Sequence, residues 1–388
     1  MVALRTVVYG ITVGVSVRTL LRGQLGWLAT QGWQVHVVCA PSDALDEAAA
    51  REGFIAHPLP MTRSFNPIAD AAALVAWVRL LRELRPEVVN VSTPKAALLG
   101  AIAARLLRVP RRVYVVRGLR LEGAAGPQRW LLWLAERLTI ALATDVLVVS
   151  RSLGRALHDQ RLLGRRPARM VGSGSSNGVD PRAISEAAAA AAGDGLRQQL
   201  GVPDDRFVVG YVGRVVADKG IETLLDGGAA AECRPTLLII GSMDEPELAA
   251  AIDRSPLTVV HVPWTRDVWR YYAVMDVLCL PTLREGFPNV VLEAASAGVP
   301  SIATDATGAV DAVVDGVTGL TIAVGDSAAL AAGIDELAAD PERRRRLGAA
   351  ARERVSAEFR PERIWAGVAS TMRGEADPDI VTIRSEPT

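Results

Sequence analysis

Lysine is almost absent from this sequence. Of 43 basic side chains in 388 residues, only Lys95 and Lys219 are lysines, so the places where a primary amine persists become informative. Cysteine is scarce too. Cys39, Cys233 and Cys279 lie far apart in apolar surroundings, which excludes a disulfide framework and a thiolate metal site and leaves three small buried hydrophobes. Four scattered histidines give no metal cluster. No apolar run reaches the roughly 18 to 20 uncharged residues of a spanning helix. The longest candidate, 130–150, is interrupted by Glu136, Arg137 and Asp145. The N-terminus lacks the charged, apolar, small-residue pattern of an export signal. Together these absences lead us to expect a cytosolic protein that folds without a metal.

What is present is globular in character. Half of the residues are hydrophobic and acids balance bases, which excludes a disordered chain. The length exceeds one ordinary core and suits two domains. The zero net charge conceals a split: residues 1–182 hold 24 Lys/Arg against 12 Asp/Glu, and the remainder has the opposite excess. Such an asymmetry points to different partners for the two halves.

Short β-rich apolar runs alternate with longer helical patterns throughout, the signature of stacked βαβ units. TVVYGI, VHVVCA, VVNVST, RRVYVV and DVLVVS supply the first series of strands; FVVGYVG, PTLLIIG, LTVVHV, DVLCLP, PSIATDA and GLTIAV supply the second. The expectation is an α/β protein of two Rossmann-like, doubly wound parallel-sheet domains that face one another across a crevice, with ligands at the carboxyl ends of the strands. The Gly/Ser/Asn-rich GSGSSNGVDP and the alanine run after it read as a hinge and a polar linking helix. The boundaries are then 1–182 for the first domain, 183–205 for the linker and 206–358 for the second domain. Residues 359–373 form a helix returning to the first domain, and 374–388 a mobile tail. The RRRR run at 343–346 reads as a solvated helix face, so nucleic acid is not an expected partner.

Two motifs carry chemistry. In GRVVADKGIETLL, Gly213 ends a strand, Arg214 leaves it, and Lys219 precedes a helix. Two cations there, beside the free N–H groups of a helix start, suit a diphosphate. In REGFPNVVLEAASAGVP, Glu285 and Glu293 flank a loop and a helix start. The amides of Gly286, Phe287, Pro288's neighbour Asn289 and Val290 suit an anion, and Pro288 suits a first helical turn. A carboxylate farther along that helix can accept from the vicinal hydroxyls of a ribose, and the one in the loop can hold a sugar hydroxyl.

These two motifs resemble the paired donor-site motifs of family-four retaining glycosyltransferases, which have the GT-B fold. NGVD at 177–180 resembles the usual end of that family's first domain, so the resemblance covers nearly the whole chain. It implies that Arg214 and Lys219 hold the donor diphosphate, that Glu293 holds the ribose, and that Glu285 contacts the donor sugar. Gly213 and 286–290 complete the donor site, and Arg214, Lys219 and Glu285 are the expected catalytic residues. LLRGQL, STPKAALLG and RGLRLE resemble the bacterial branch that builds capsule, exopolysaccharide and lipid-linked oligosaccharides. That branch implies an acceptor side formed by Ser16, Thr93, Lys95, Arg117 and Arg120. It often has histidines just before TPK; Asn90 and Ser92 stand here, so no histidine contact to the donor sugar is implied.

The expected reaction moves a hexose or N-acetylhexosamine from a nucleotide-sugar, a UDP-sugar in particular, to a polyprenyl-diphosphate-linked glycan, with retention and without a metal cofactor. The basic first half, including Arg111, Arg112, Arg117 and Arg120, suits an anionic membrane, with the chain peripheral on its inner face. Trp130 and Trp133 begin an amphipathic helix that fits either that interface or an ordinary core. Three alternatives stay open: a natural-product glycosyltransferase, a nucleotide-sugar 2-epimerase, and a non-catalytic nucleotide-sugar-binding subunit.

Overall fold

Valine-rich runs such as those at residues 5–10 and 33–39 become strands whose inner residues are buried, as parallel sheets covered by helices require. The computed structural model describes residues 5–62 and 65–384. The chain divides into two compact units, one built from residues up to Asn177 together with those from Pro361 onward, the other from Gly178–Arg360.

The strands in chain order are β1 (Arg5–Gly10), β2 (Trp33–Cys39), β3 (Ile55–Pro58), β4 (Val88–Val91), β5 (Arg111–Val116), β6 (Asp145–Val148) and β7 (Ala168–Val171). Then follow β8 (Val208–Val212), β9 (Thr236–Ile240), β10 (Thr258–Val262), β11 (Val277–Leu280), β12 (Ser301–Thr304), β13 (Gly319–Ile322) and β14 (Ile380–Ile383). The first unit holds an eight-stranded sheet in the order β14-β7-β6-β5-β4-β1-β2-β3, parallel except for β14. The second holds a six-stranded parallel sheet, β10-β9-β8-β11-β12-β13. In each sheet the order reverses once, between β1 and β4 and between β8 and β11, and doubly wound sheets bind ligands beyond such reversals. In the second unit Val277 pairs with Val209 across that reversal. Its core of Tyr211, Ile221, Leu224, Ile239, Cys279, Ile302 and Leu330 holds the two strand ends in place.

Two boundary expectations change. The alanine run is not a linker: helix Pro181–Gly193 buries Ile184, Ala188 and Ala191 and packs in the second unit against Val268–Val274 and helix Asn289–Ser296. Alanines at helical spacing let the backbones approach closely, a packing role that composition alone conceals. After Asp340 come helices Pro341–Glu358 and Pro361–Arg373, and the chain crosses back to the first unit between them. Pro361 starts the second helix and cannot continue the first.

Residues 374–388, expected as a mobile tail, include β14, antiparallel to β7 with Ile380 opposite Val171. Ile383 is buried against Gly154, where an added Cβ would lie 2.9 Å from its side chain. Arg363 donates two bonds to Asp379, at 2.9 and 2.7 Å, and anchors the strand. The last four residues of that expectation lie outside the described ones.

The cysteines divide: Cys39 and Cys279 are buried, whereas Cys233 is half-buried and its amide donates to Asp335. Within the RRRR run, Arg343 pairs with Glu336 and Arg344 with Asp276, and Arg344 also lies over the Phe207 ring. Among the described residues no helix is long and apolar enough to cross a membrane.

Candidate active site

Three loops meet beyond the reversal of the second sheet. After β8 the chain passes through Gly213 and Arg214 into a 3-10 turn, Ala217–Lys219, and then into helix Ile221–Ala230. Gly220 joins turn to helix with φ +70, and a Cβ there would stand 1.8 Å from the Pro281 carbonyl oxygen. Only glycine fits both the left-handed backbone and the close approach. That approach brings the loop after β11 alongside. Leu283 N–H donates to the Asp218 carbonyl at 3.0 Å, and the Thr282 hydroxyl lies 3.1 Å from the same oxygen. The third loop, after β12, accepts from Glu285 N–H through the Thr307 carbonyl at 2.8 Å.

On this frame Lys219 Nζ donates to Glu285 Oε1, and beside them Arg284 pairs with Asp218 at 2.7 Å. The two pairs are successive rungs between the same two loops. Lys219 and Glu285 are 18% and 19% exposed, sheltered enough for their charges to act strongly yet open to a ligand. Arg214 is far more open and pairs with Asp244 at 3.3 Å; Tyr211 holds its backbone by donating to the Arg214 carbonyl at 2.7 Å.

Glu293 lies on helix Asn289–Ser296 and accepts from the Tyr272 hydroxyl at 2.8 Å. Burial, with the neighbouring Glu293 charge, pushes the Tyr272 phenol well above its ordinary value, so it stays a hydrogen-bond donor. The carboxylate is thereby oriented. Phe287 departs from the donor-contact expectation. Its ring is buried, 5.5 Å from that of Phe359, so its side chain is committed to the core and only its backbone is left as a candidate contact. Gly286 and Pro288 are buried beside it; Asn289 and Val290 are half-buried at the helix start.

In the first unit the expected acceptor residues sit beyond strand carboxyl ends. Thr93 is tied to Thr12, whose amide and hydroxyl both lie 2.7 Å from Thr93 Oγ1. Lys95 pairs with Asp70 at 2.5 Å on the neighbouring helix Pro67–Leu84. Arg117 donates to the Ser176 carbonyl at 2.5 Å, and burial lowers its guanidinium to about 10, leaving it charged at neutral pH. Ser16 is half-buried on helix Gly14–Leu20, and Arg120 is exposed in the turn Arg120–Gly123. Asn90 is buried and donates to the Met372 sulfur at 3.7 Å, while Ser92 is buried beside it.

Sequence reading missed Asp244, Tyr272 and the Asp218–Arg284 pair. The first two are set by the loops after β9 and β10, whose sequences carry no periodic signal. The third had one available clue, since Asp218 adjoins Lys219 and Arg284 adjoins Glu285.

Residues 194–354 match the family model described as glycosyl transferases group 1, and residues 14–174 match the glycosyl transferase 4-like domain. The capsular polysaccharide biosynthesis glycosyltransferase CapM of Staphylococcus aureus is 35% identical over 89% of this chain and 91% of that protein. The UDP-Gal:alpha-D-GlcNAc-diphosphoundecaprenol alpha-1,3-galactosyltransferase of Escherichia coli is 27% identical over 72% of this chain and 74% of that one. The crystal structure of Anabaena HepE in complex with UDP-glucose shares the fold, with a TM-score of 0.77 at 22% identity over 95% of this chain and 99% of that chain.

Proposed function

The chain belongs to the group 1 glycosyltransferases, with two α/β units of the GT-B type, and from that premise we propose the reaction it carries out. It transfers a hexose or N-acetylhexosamine from a UDP-sugar to a polyprenyl-diphosphate-linked glycan, in the making of a capsule-like cell-surface polysaccharide, at the inner face of the membrane. CapM's role and the lipid-diphosphate acceptor named for the Escherichia coli relative support this choice.

The observation that carries the reading is the Lys219–Glu285 pair beyond the β8–β11 reversal, on the loop that also carries Arg214 and the loop that leads into the helix of Glu293, itself held by Tyr272. Lys219 and Arg214 hold the two phosphates and stabilise the charge that grows on the leaving UDP. Glu293 accepts from the ribose hydroxyls. Glu285, released when Lys219 turns to phosphate, accepts from a donor-sugar hydroxyl. The acceptor hydroxyl attacks C1 on the face the UDP leaves, the C1–O bond to phosphate breaks, and the departing phosphate oxygen takes the proton, which retains the anomeric configuration. The two cations take the part a metal plays elsewhere, so EDTA is expected to leave turnover intact; an absolute need for magnesium would refute this.

The test is a thermal-shift screen of UDP- and GDP-sugars, followed by UDP release and product analysis on polyprenyl-diphosphate-linked saccharides. Stabilisation by a UDP-sugar and transfer to the lipid-linked acceptor are expected. Epimer formation from the donor alone, or donor binding without any transfer, would overturn the reading.

A further inference from the structure

Helix Gly126–Leu142 turns an apolar stripe toward water. Its inward side buries Thr139 and Ile140 and also holds polar groups. Arg129 donates to the Leu121 carbonyl at 3.0 Å and to Gln160 at 2.8 Å; Trp133 donates to the Gln160 carbonyl at 2.8 Å; Glu136 accepts from the Tyr114 hydroxyl at 2.7 Å. Burial raises the Glu136 carboxyl to about 7. Its outward side is apolar. Trp130 is 63% exposed, Leu131 44%, Leu134 42% and Leu138 42%, and Pro127 and Ala141 are exposed in line with them. Positions 127, 130, 134, 138 and 141 fall three or four apart, with 131 three before 134 and four after 127, and form one continuous stripe. A surface helix in water carries charged and polar residues on that outward side instead. Of the two tryptophans noted in the sequence, Trp133 is bound inward and Trp130 points out.

The stripe ends in cations. Arg166 donates to the Ala141 carbonyl at 3.3 Å and Arg112 to the Leu142 carbonyl at 2.8 Å. Arg105 and Arg166 are close enough to Arg112 to lower its guanidinium together with burial. Asp145, the carboxylate whose charge acts on Arg112, is shared between Arg111 and Arg169. Exposed Arg105, Leu106 and Arg108 continue the surface from the neighbouring helix Pro94–Leu106, which packs against this one.

We propose that this face is a seat for an anionic bilayer surface: the Trp130-Leu131-Leu134-Leu138 stripe enters the headgroup–acyl boundary, and the arginines at its end engage lipid phosphates. An aromatic residue at one end, leucines along the stripe and guanidinium groups at the other end are the features of helices that lie in such an interface. Charge favours lipid over a second copy of the chain, because two such faces brought together would oppose the same cations. The inference deepens the functional reading and rests on it for the identity of the acceptor, since a polyprenyl-diphosphate glycan resides in that surface.

Flotation with phosphatidylglycerol–phosphatidylcholine vesicles tests it, using the full chain. The protein is expected to bind at least tenfold more tightly to these than to pure phosphatidylcholine at low salt. The variant W130S/L134S/L138S should lose at least tenfold while keeping its melting temperature and its turnover on a water-soluble acceptor analogue. R105S/R108S should remove much of the salt dependence. Indifference to phosphatidylglycerol, unchanged binding of the triple serine variant, or a dimer in light scattering that this variant abolishes would each overturn the proposal. Vesicle binding without any transfer would instead reject the functional reading and leave this surface standing.

Discussion

At the scale of single residues the two lysines behave alike. Each is the residue of a strand-to-helix junction, and each holds a carboxylate from a neighbouring loop or helix: Lys95 on Asp70, Lys219 on Glu285. The second pair is adjoined in sequence and in space by a further ion pair, Asp218–Arg284. We expect Lys219→Ala to lower kcat by about 10² to 10³ with its thermal stability nearly unchanged, as removal of a charge-stabilising donor does. Tyr272→Phe removes one hydrogen bond to Glu293, about 1 kcal/mol, and should raise donor KM about fivefold with kcat little altered. Titration effects oppose one another in the first unit. His36 and His57, 2.8 Å apart, are both held below 6.5 by burial, so they remove stability as pH falls below 6.5. Glu136, raised to about 7, has the reverse sign: what it contributes in its neutral form is lost as pH rises from the ordinary carboxyl range through 7. Glu136→Gln should therefore raise the melting temperature at pH 8 relative to the native chain, and by less at pH 5.

At the scale of elements the site is a clasp between loops. Asp218–Arg284 and Lys219–Glu285 are adjacent rungs, so a change at the first displaces the second. Arg284→Met is expected to lower kcat by about 10- to 100-fold through misplacement, with Arg284→Lys recovering part of it. Gly220→Ala meets both a left-handed φ and the Pro281 oxygen, and should cost at least about 1–3 kcal/mol and abolish transfer. This is also where the sequence was only half legible. Arg214, Lys219, Glu285 and Glu293 stand out because each lies just beyond an apolar strand or on the helix after it. Their assigned roles were separate, cations for phosphate and a glutamate for sugar. The direct Lys219–Glu285 bond spans 66 positions, and no local pattern reports it. Tyr272 escaped notice because the 3-10 segment Val268–Val274 has neither a helix nor a strand period. The alanine helix Pro181–Gly193 misled in the other direction, its small side chains reading as a spacer when they are a packing surface.

At the scale of the whole molecule the two doubly wound sheets follow from the alternation of β-rich and helical runs, and the crossing back at Pro361 returns the last helix to the first unit. β14 was hidden because IVTI is four residues long and follows a polar stretch; its place depends on a sheet edge formed by β7 and on Arg363, both distant in sequence. Deleting residues 376–388 should lower the melting temperature by removing buried Ile383, about 1.5–3 kcal/mol of apolar burial, together with the Arg363–Asp379 pair. The central claim concerns the second unit alone: a nucleoside diphosphate binds beyond the β8–β11 reversal. A crystal structure of the chain with UDP tests it most directly. The account predicts phosphate oxygens within hydrogen-bond distance of Lys219 Nζ and the Arg214 guanidinium, and ribose hydroxyls on Glu293. A nucleotide seated away from these three side chains would contradict it.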